Sequence, residues 1–150
     1  MMIMMIMMNA MISHQSLPGV KSIGFVDPEY LQPNVAFKSI AGIPIGVFCH
    51  INSISLCGNA TCEAVSEYNN NGRSQKTTLK FNTTDVLPTY FKLAFIVVDT
   101  NNDSYLIGAR ENPYPVIKCS KSFGTPGGDP AVYSYEISLT ALKSLIPCRI

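Results

Sequence analysis

Ten prolines and ten glycines, scattered along the chain rather than gathered into one linker, set the grain of this 150-residue sequence. Each proline removes a backbone donor and fixes φ, while each glycine loosens the backbone, so regular elements are confined to the stretches between them. That spacing disfavours long helices and favours short strands joined by turns. No interdomain break is visible. The expected fold class is therefore all-β, an antiparallel β-sandwich or small barrel of about six to nine strands built from hairpins.

Three hairpins can be read directly. Residues 61–68 (TCEAVSEY) and 75–83 (QKTTLKFNT) flank NNNGRS, whose Asn71-Gly72 pair suits the positive φ angles of a hairpin turn. In the second arm Thr77, Leu79 and Phe81 alternate with Thr78, Lys80 and Asn82, which predicts one apolar and one wet face. Residues 90–99 (YFKLAFIVVD) are nearly continuously apolar, from Phe91 through Val98, and predict a central strand. Asp99, Thr100, Asn101, Asn102 and Asp103 then supply turn chemistry before SYLIGA. The third pair is 116–122 (VIKCSKS) with 132–139 (VYSYEISL), around FGTPGGDPA. Here Tyr133, Tyr135, Ile137 and Leu139 share one side, and Ser134, Glu136 and Ser138 the other. Upstream, VKSIGFV at 20–26 and the segment from Val35 to Cys49 read as two or three more strands, with Pro28, Pro33 and Pro44 confining them to edges or bends. At most one short C-terminal helix is expected, ALKSLI after a Thr140 cap, stopped by Pro147.

All seven methionines lie among the first eleven residues, so residues 1–12 form a Met/Ile-rich lead distinct from a single β domain at 13–150. Such a string admits three readings: a short apolar helix, a degenerate export signal, or upstream codons before a start at Met11. The last is favoured, because an export signal needs an early positive charge and a small-residue cleavage site, and the first basic residue is Lys21. A chain of this length buries about 70% of its unfolded surface, enough for a core without metal or disulfide staples. Eleven basic against ten acidic residues leave a net charge of +1, and charged residues make up only 14%. That balance provides no strong pull on nucleic acid or anionic lipid, and no apolar run reaches the ~18 residues of a membrane span.

The chemistry-bearing residues are sparse. Cys49, His50, Cys57 and Cys62 are of the types that ligate zinc, but the paired C-x2-C knuckle is missing. Five cysteines, with Cys119 and Cys148 completing the set, read by default as buried free thiols, with a Cys57–Cys62 disulfide as the alternative in an oxidising compartment. The histidines are His14 and His50, and nothing near His50 has the form of a nucleophile elbow. Glu63, Glu67, Asp99 and Asp103 fall on a strand and in a turn, with no pair marked for acid/base work. Arg110 and Glu111 in GARENPYP read as a surface pair or turn contact, or as a partner contact. The Gly124–Pro130 loop lacks the Lys-Ser/Thr of a phosphate cradle and reads as a contact loop. Arg73, Lys76, Lys80, Lys92, Lys118 and Lys121, with Tyr68 and Tyr90 nearby, suggest one solvated basic sheet face, interrupted by Glu67 and Asp85. Sequons at Asn59, Asn82 and Asn102 are of the kind that arises by chance in so Asn/Ser/Thr-rich a chain. No catalytic, cofactor-binding or metal site is assigned, and the chain is expected not to be an enzyme.

The strings KTTLKF, FIVVDTNNDSYLIGARENPYPVI and GTPGGDPAVYSYEISLTALKSLIPC, with a "LIG-x-R-E-x-PYP" turn, a Gly/Pro loop and an aromatic strand, span residues 75–148. In these features the chain resembles small virion-associated proteins of Bacteroides-type phages and prophages. The resemblance implies a small β subunit at the head-to-tail connection or in the tail, present in the virion and in the host cytoplasm during assembly. Its implied partners are other virion proteins or copies of itself in a homo-oligomer, with no specific nucleic acid, membrane span or cofactor. Edge-strand addition and the 123–131 loop would make the contacts. The competing expectation is a secreted or cell-surface β-sandwich that binds a ligand or protein.

Overall fold

A computed structural model describes residues 19–69, 72–89, 91–111, 113–123, 126–128 and 131–150. The Met/Ile lead, His14, Asn71, Tyr90 and much of the 124–130 loop lie outside the described residues. Among the described residues nine strands form: β1 (Val20–Val26), β2 (Asn52–Ile54), β3 (Thr61–Asn69), β4 (Gly72–Thr83), β5 (Ala94–Asp99), β6 (Ser104–Ile107), β7 (Val116–Ser122), β8 (Val132–Ala141) and β9 (Ile146–Cys148). They build a β-sandwich from a five-stranded sheet, β2-β1-β5-β6-β9, and a four-stranded sheet, β3-β4-β8-β7, with every strand pairing antiparallel. The chain places neighbouring strands in one sheet, then crosses to the other after β2, β4, β6 and β8.

The three hairpins stand where the alternation predicts. In β4, Thr77 and Leu79 are fully buried and Phe81 nearly so, while Lys80 and Asn82 face water. In β8, Tyr135, Ile137 and Leu139 point into the core opposite Phe81, Leu79 and Thr77. These side chains meet Ile23, Phe95, Val97 and Ile107 of the five-stranded sheet, and this layer is the core of the sandwich. Gly72, at φ 113°, takes the left-handed conformation expected at the first hairpin turn.

A second core lies on the far side of the five-stranded sheet. Val26, Ala94, Ile96, Leu106 and Ile146 pack there against Leu31, Val35, Ile45 and Val47 of the β1–β2 connection. Because β5 is covered on both faces, its sequence is continuously apolar instead of alternating. The covering connection corrects the strands expected between Val35 and Cys49. It contains a 3-10 turn at Pro28–Tyr30 and a short helix, α1 (Val35–Ile40), followed by extended chain. Pro28, Pro33 and Pro44 break up any long ladder, and the segment is held by burial of Val35, Ile45 and Val47 and by a single bridge from Gly46 to Arg149.

Two further expectations are corrected. The central strand begins at Ala94, because Phe91 N–H donates to the Pro88 carbonyl in a turn and the Phe91 ring is 70% exposed. ALKSLI is not a helix. β8 runs on to Ala141, and the chain bends to enter β9, which pairs with β6 and buries Ile146. A helix this short gains too few internal hydrogen bonds to outweigh that pairing and burial. Pro147 sits in this short edge strand, where a missing donor is tolerated.

Candidate interaction surface

The two sheets treat their edges differently. In the five-stranded sheet the edge strands β2 and β9 are only three residues long. The chain just beyond β9 is engaged as well: Gly46 bridges to Arg149, the Val47 N–H donates to the Arg149 carbonyl at 2.7 Å, and the Arg149 N–H donates to the Ile45 carbonyl at 2.9 Å. At the end of β2 the Ser55 N–H donates to the Asp85 carboxylate at 2.8 Å. The four-stranded sheet ends in long strands, nine residues in β3 and seven in β7. Each presents a row of backbone donors and acceptors on its outer side.

Side chains make these two edges opposite in character. β3 carries Glu63 and Glu67 and no basic residue; β7 carries Lys118 and Lys121 and no acidic one, and all four are exposed. Val65 in β3 and Val116 in β7 are also exposed, at 58% and 57%. Cross-strand register places Thr61, Lys80, Glu136 and Lys118 in one row over the outer face of the sheet. Lys80 Nζ lies 3.8 Å from Glu136 Oε1, and in the next polar row Ser134 Oγ donates to Asn82 Oδ1 at 2.7 Å. Around these residues runs a shallow groove of about 310 Å³ that also takes in Lys118 and Ser120.

The basic residues do not share one face, which corrects that expectation. Lys76, Lys80 and Lys118 point outward with the wet rows, whereas Arg73 and Lys121 have the inward parity. Arg73 sits over the Tyr68 ring at 5.7 Å, Lys121 lies near both Phe123 and Tyr133, and Lys92 stands over Tyr114 at 4.3 Å from the other sheet's approach. Strand alternation after the turn explains the split, since residues 73 and 76 differ by an odd number of positions.

The zinc-type residues are divided by the five-stranded sheet. Cys62 packs against the inter-sheet core, and Cys49 against the second core on the far side. His50 is exposed and lines an open depression with Asp27, Tyr30, Cys49 and Asn52. The Asp27 carboxylate there accepts the Glu29 N–H at 3.0 Å and caps the 3-10 turn. All five cysteines are free. Four are half-buried, and burial pushes the Cys62 and Cys148 thiols up to about 11, with Glu63 adding to the effect at Cys62. Cys119 is exposed, contrary to the buried default, because it lies on the edge strand β7.

Glu111 does not pair with Arg110. Both its carboxylate oxygens accept the Asn34 N–H, at 3.1 and 3.3 Å, holding Asn34 in the left-handed conformation (φ 56°) that starts α1. Arg110 contributes its carbonyl to the Tyr114 hydroxyl at 2.9 Å. Glu111 is thus a clasp on the covering layer. Asp99 and Asp103 form a turn in which Asp99 Oδ1 accepts the N–H groups of Asn101 and Asp103. Of the sequon residues, Asn102 accepts from Lys21 Nζ at 2.7 Å and Asn82 is engaged by Ser134, while Asn59 is exposed.

Comparison with family models, with curated proteins and with solved structures finds no match to this chain. Among the described residues, no helix is long and apolar enough to cross a membrane.

Proposed function

We propose that this protein is a structural subunit of a phage or prophage virion, at the head-to-tail connection or in the tail. It assembles through contacts with copies of itself and with neighbouring virion proteins, and it is not an enzyme. The observation that supports this reading best is the four-stranded sheet with two long exposed edges, β3 and β7, on a sandwich whose other sheet has short edges. Long bare edges are hazardous in a solitary protein and useful in one that adds strands to a neighbour. The resemblance of residues 75–148 to small virion-associated proteins points to the same class.

The test is negative-stain electron microscopy of the purified protein, together with peptide mass spectrometry of purified particles. Rings, tubes or incorporation into particles are the expected result. A monodisperse monomer found in no particle overturns the proposal. If that monomer also has oxidised cysteines and an N-terminus processed after residue 12, the secreted binding module takes its place.

A further inference from the structure

We infer that copies of this chain join head to tail, β7 of one copy adding antiparallel to β3 of the next in the register that sets Lys118 opposite Glu63. The inference rests on the self-assembly reading above and specifies its contact.

Direction comes first. The strands of the order β3-β4-β8-β7 alternate antiparallel throughout, so β3 and β7 run oppositely. A second copy in the same orientation therefore brings its β3 beside β7 as one more antiparallel neighbour, and the sheet continues without a break in pattern. Charge then selects the pair. β3 is purely acidic and β7 purely basic. Self-pairing of either strand would bring only like charges together, whereas β3 with β7 joins opposite ones.

Register follows from the side chains. Placing Lys118 opposite Glu63 sets Val116 opposite Val65 and Ser120 opposite Thr61 on the outer face. Two valines, each more than half exposed in the single chain, then cover one another. On the inner face Ile117 meets Ala64, and Cys119 meets Cys62. A slip of one residue would set outward side chains against inward ones. A slip that places Lys118 against Glu67 parts the two valines and leaves Val65 facing Ser120. Lateral translation without stagger aligns Lys118 with Thr61, so the inferred register is displaced by two residues, about 7 Å along the strand. A closed ring absorbs that offset by tilting its strands by about 20° from the ring axis.

Disulfide mapping tests the contact. Within one chain Cys62 and Cys119 lie on opposite edges of the sheet, three strand spacings of about 4.8 Å apart, too far to bridge. A link between them is therefore intermolecular. Concentrated wild-type protein and the Val65→Cys/Val116→Cys variant are oxidised mildly, digested without reduction and mapped by mass spectrometry. One sample mixes isotopically labelled and unlabelled chains to mark links between copies. Adjacent pairs across a ladder alternate between narrow and wide spacing, so one of the two pairs, the native 62–119 or the introduced 65–116, falls at a narrow position. Sedimentation of Lys118→Glu, Glu63→Lys and the double exchange supplies an independent measure. The expected results are a 62–119 or 65–116 link between copies, association weakened about tenfold by each single reversal, and recovery in the double exchange. Assembly with neither link, or with Cys119 joined to Cys119 of another copy, overturns this contact while leaving self-assembly intact. A monomer at every concentration overturns both.

Discussion

Thr77 and Ser144 share a 2.6 Å hydrogen bond, and neither residue is exposed to solvent. Thr77 belongs to β4, in the four-stranded sheet, and Ser144 to the bend that carries the chain from β8 into β9 of the other sheet. Gln75, two residues earlier on the same inward side of β4, accepts the N–H groups of Ser144 and Leu145 through Oε1, at 2.9 and 3.0 Å. Together they fix the last crossing between the sheets.

Thr77→Val keeps the shape of the side chain and leaves the Ser144 hydroxyl without its partner. The expected loss is about 1–3 kcal/mol in urea unfolding. Adding Ser144→Ala removes the stranded hydroxyl, so the double variant should lie closer to wild type than Thr77→Val alone. Additive losses in the double-mutant cycle would contradict the role given to this bond.

Gly108 follows β6 at φ 124°, and a Cβ placed on it would come within 2.8 Å of the Ala94 Cβ and 3.1 Å of its Cα. Gly108→Ala combines backbone strain with a clash against the fully buried Ala94, for an expected loss of about 2–4 kcal/mol. Gly42, also at positive φ but with nothing within 4 Å of the added carbon, should lose only about 1 kcal/mol as Gly42→Ala. Equal thermal shifts for the two would rule out the close approach as the cause.

Burial raises the Cys62 and Cys148 thiols from 9.0 to about 11. The folded chain therefore binds these protons more tightly than the unfolded chain does. The stability this contributes is fully present below about pH 9 and is lost as pH rises from 9 towards 11. Unfolding curves should decline across that window, and Cys62→Ala/Cys148→Ala should flatten the decline. At pH 8 the exposed Cys119 should alkylate before either of them.

Glu111→Ala releases the Asn34 N–H and the start of α1. The expected loss is about 1 kcal/mol, with faster amide exchange confined to the 31–51 covering segment. Unchanged exchange in that segment would remove Glu111 from its role as the clasp.

The parts of the fold that were legible in the sequence are those where one face is wet. Tyr133, Tyr135, Ile137 and Leu139 against Ser134, Glu136 and Ser138 record a sheet with water on one side, and Thr77, Leu79 and Phe81 do the same in β4. β5 is legible as a strand, but its unbroken apolar run does not say what covers its second face. The cover is the segment from Pro28 to Ile51, whose buried residues fall in two short groups, Leu31 with Val35 and Ile45 with Val47, each too brief to mark an element by its period. Which strands form the rims of the four-stranded sheet was not legible in the sequence. Glu63 and Lys118 belong to strands far apart in sequence, and only the order β3-β4-β8-β7 places them on opposite rims of one sheet. The exposure of Cys119 has the same origin.

Sedimentation velocity of the purified chain, from micromolar concentration to its solubility limit, tests most directly whether this sandwich is built to assemble. The account predicts a sedimentation coefficient that rises with concentration and resolves into closed or extending oligomers, falling back when Lys118 is reversed. A single monomer boundary across the whole range, identical for wild type and Lys118→Glu, would contradict it.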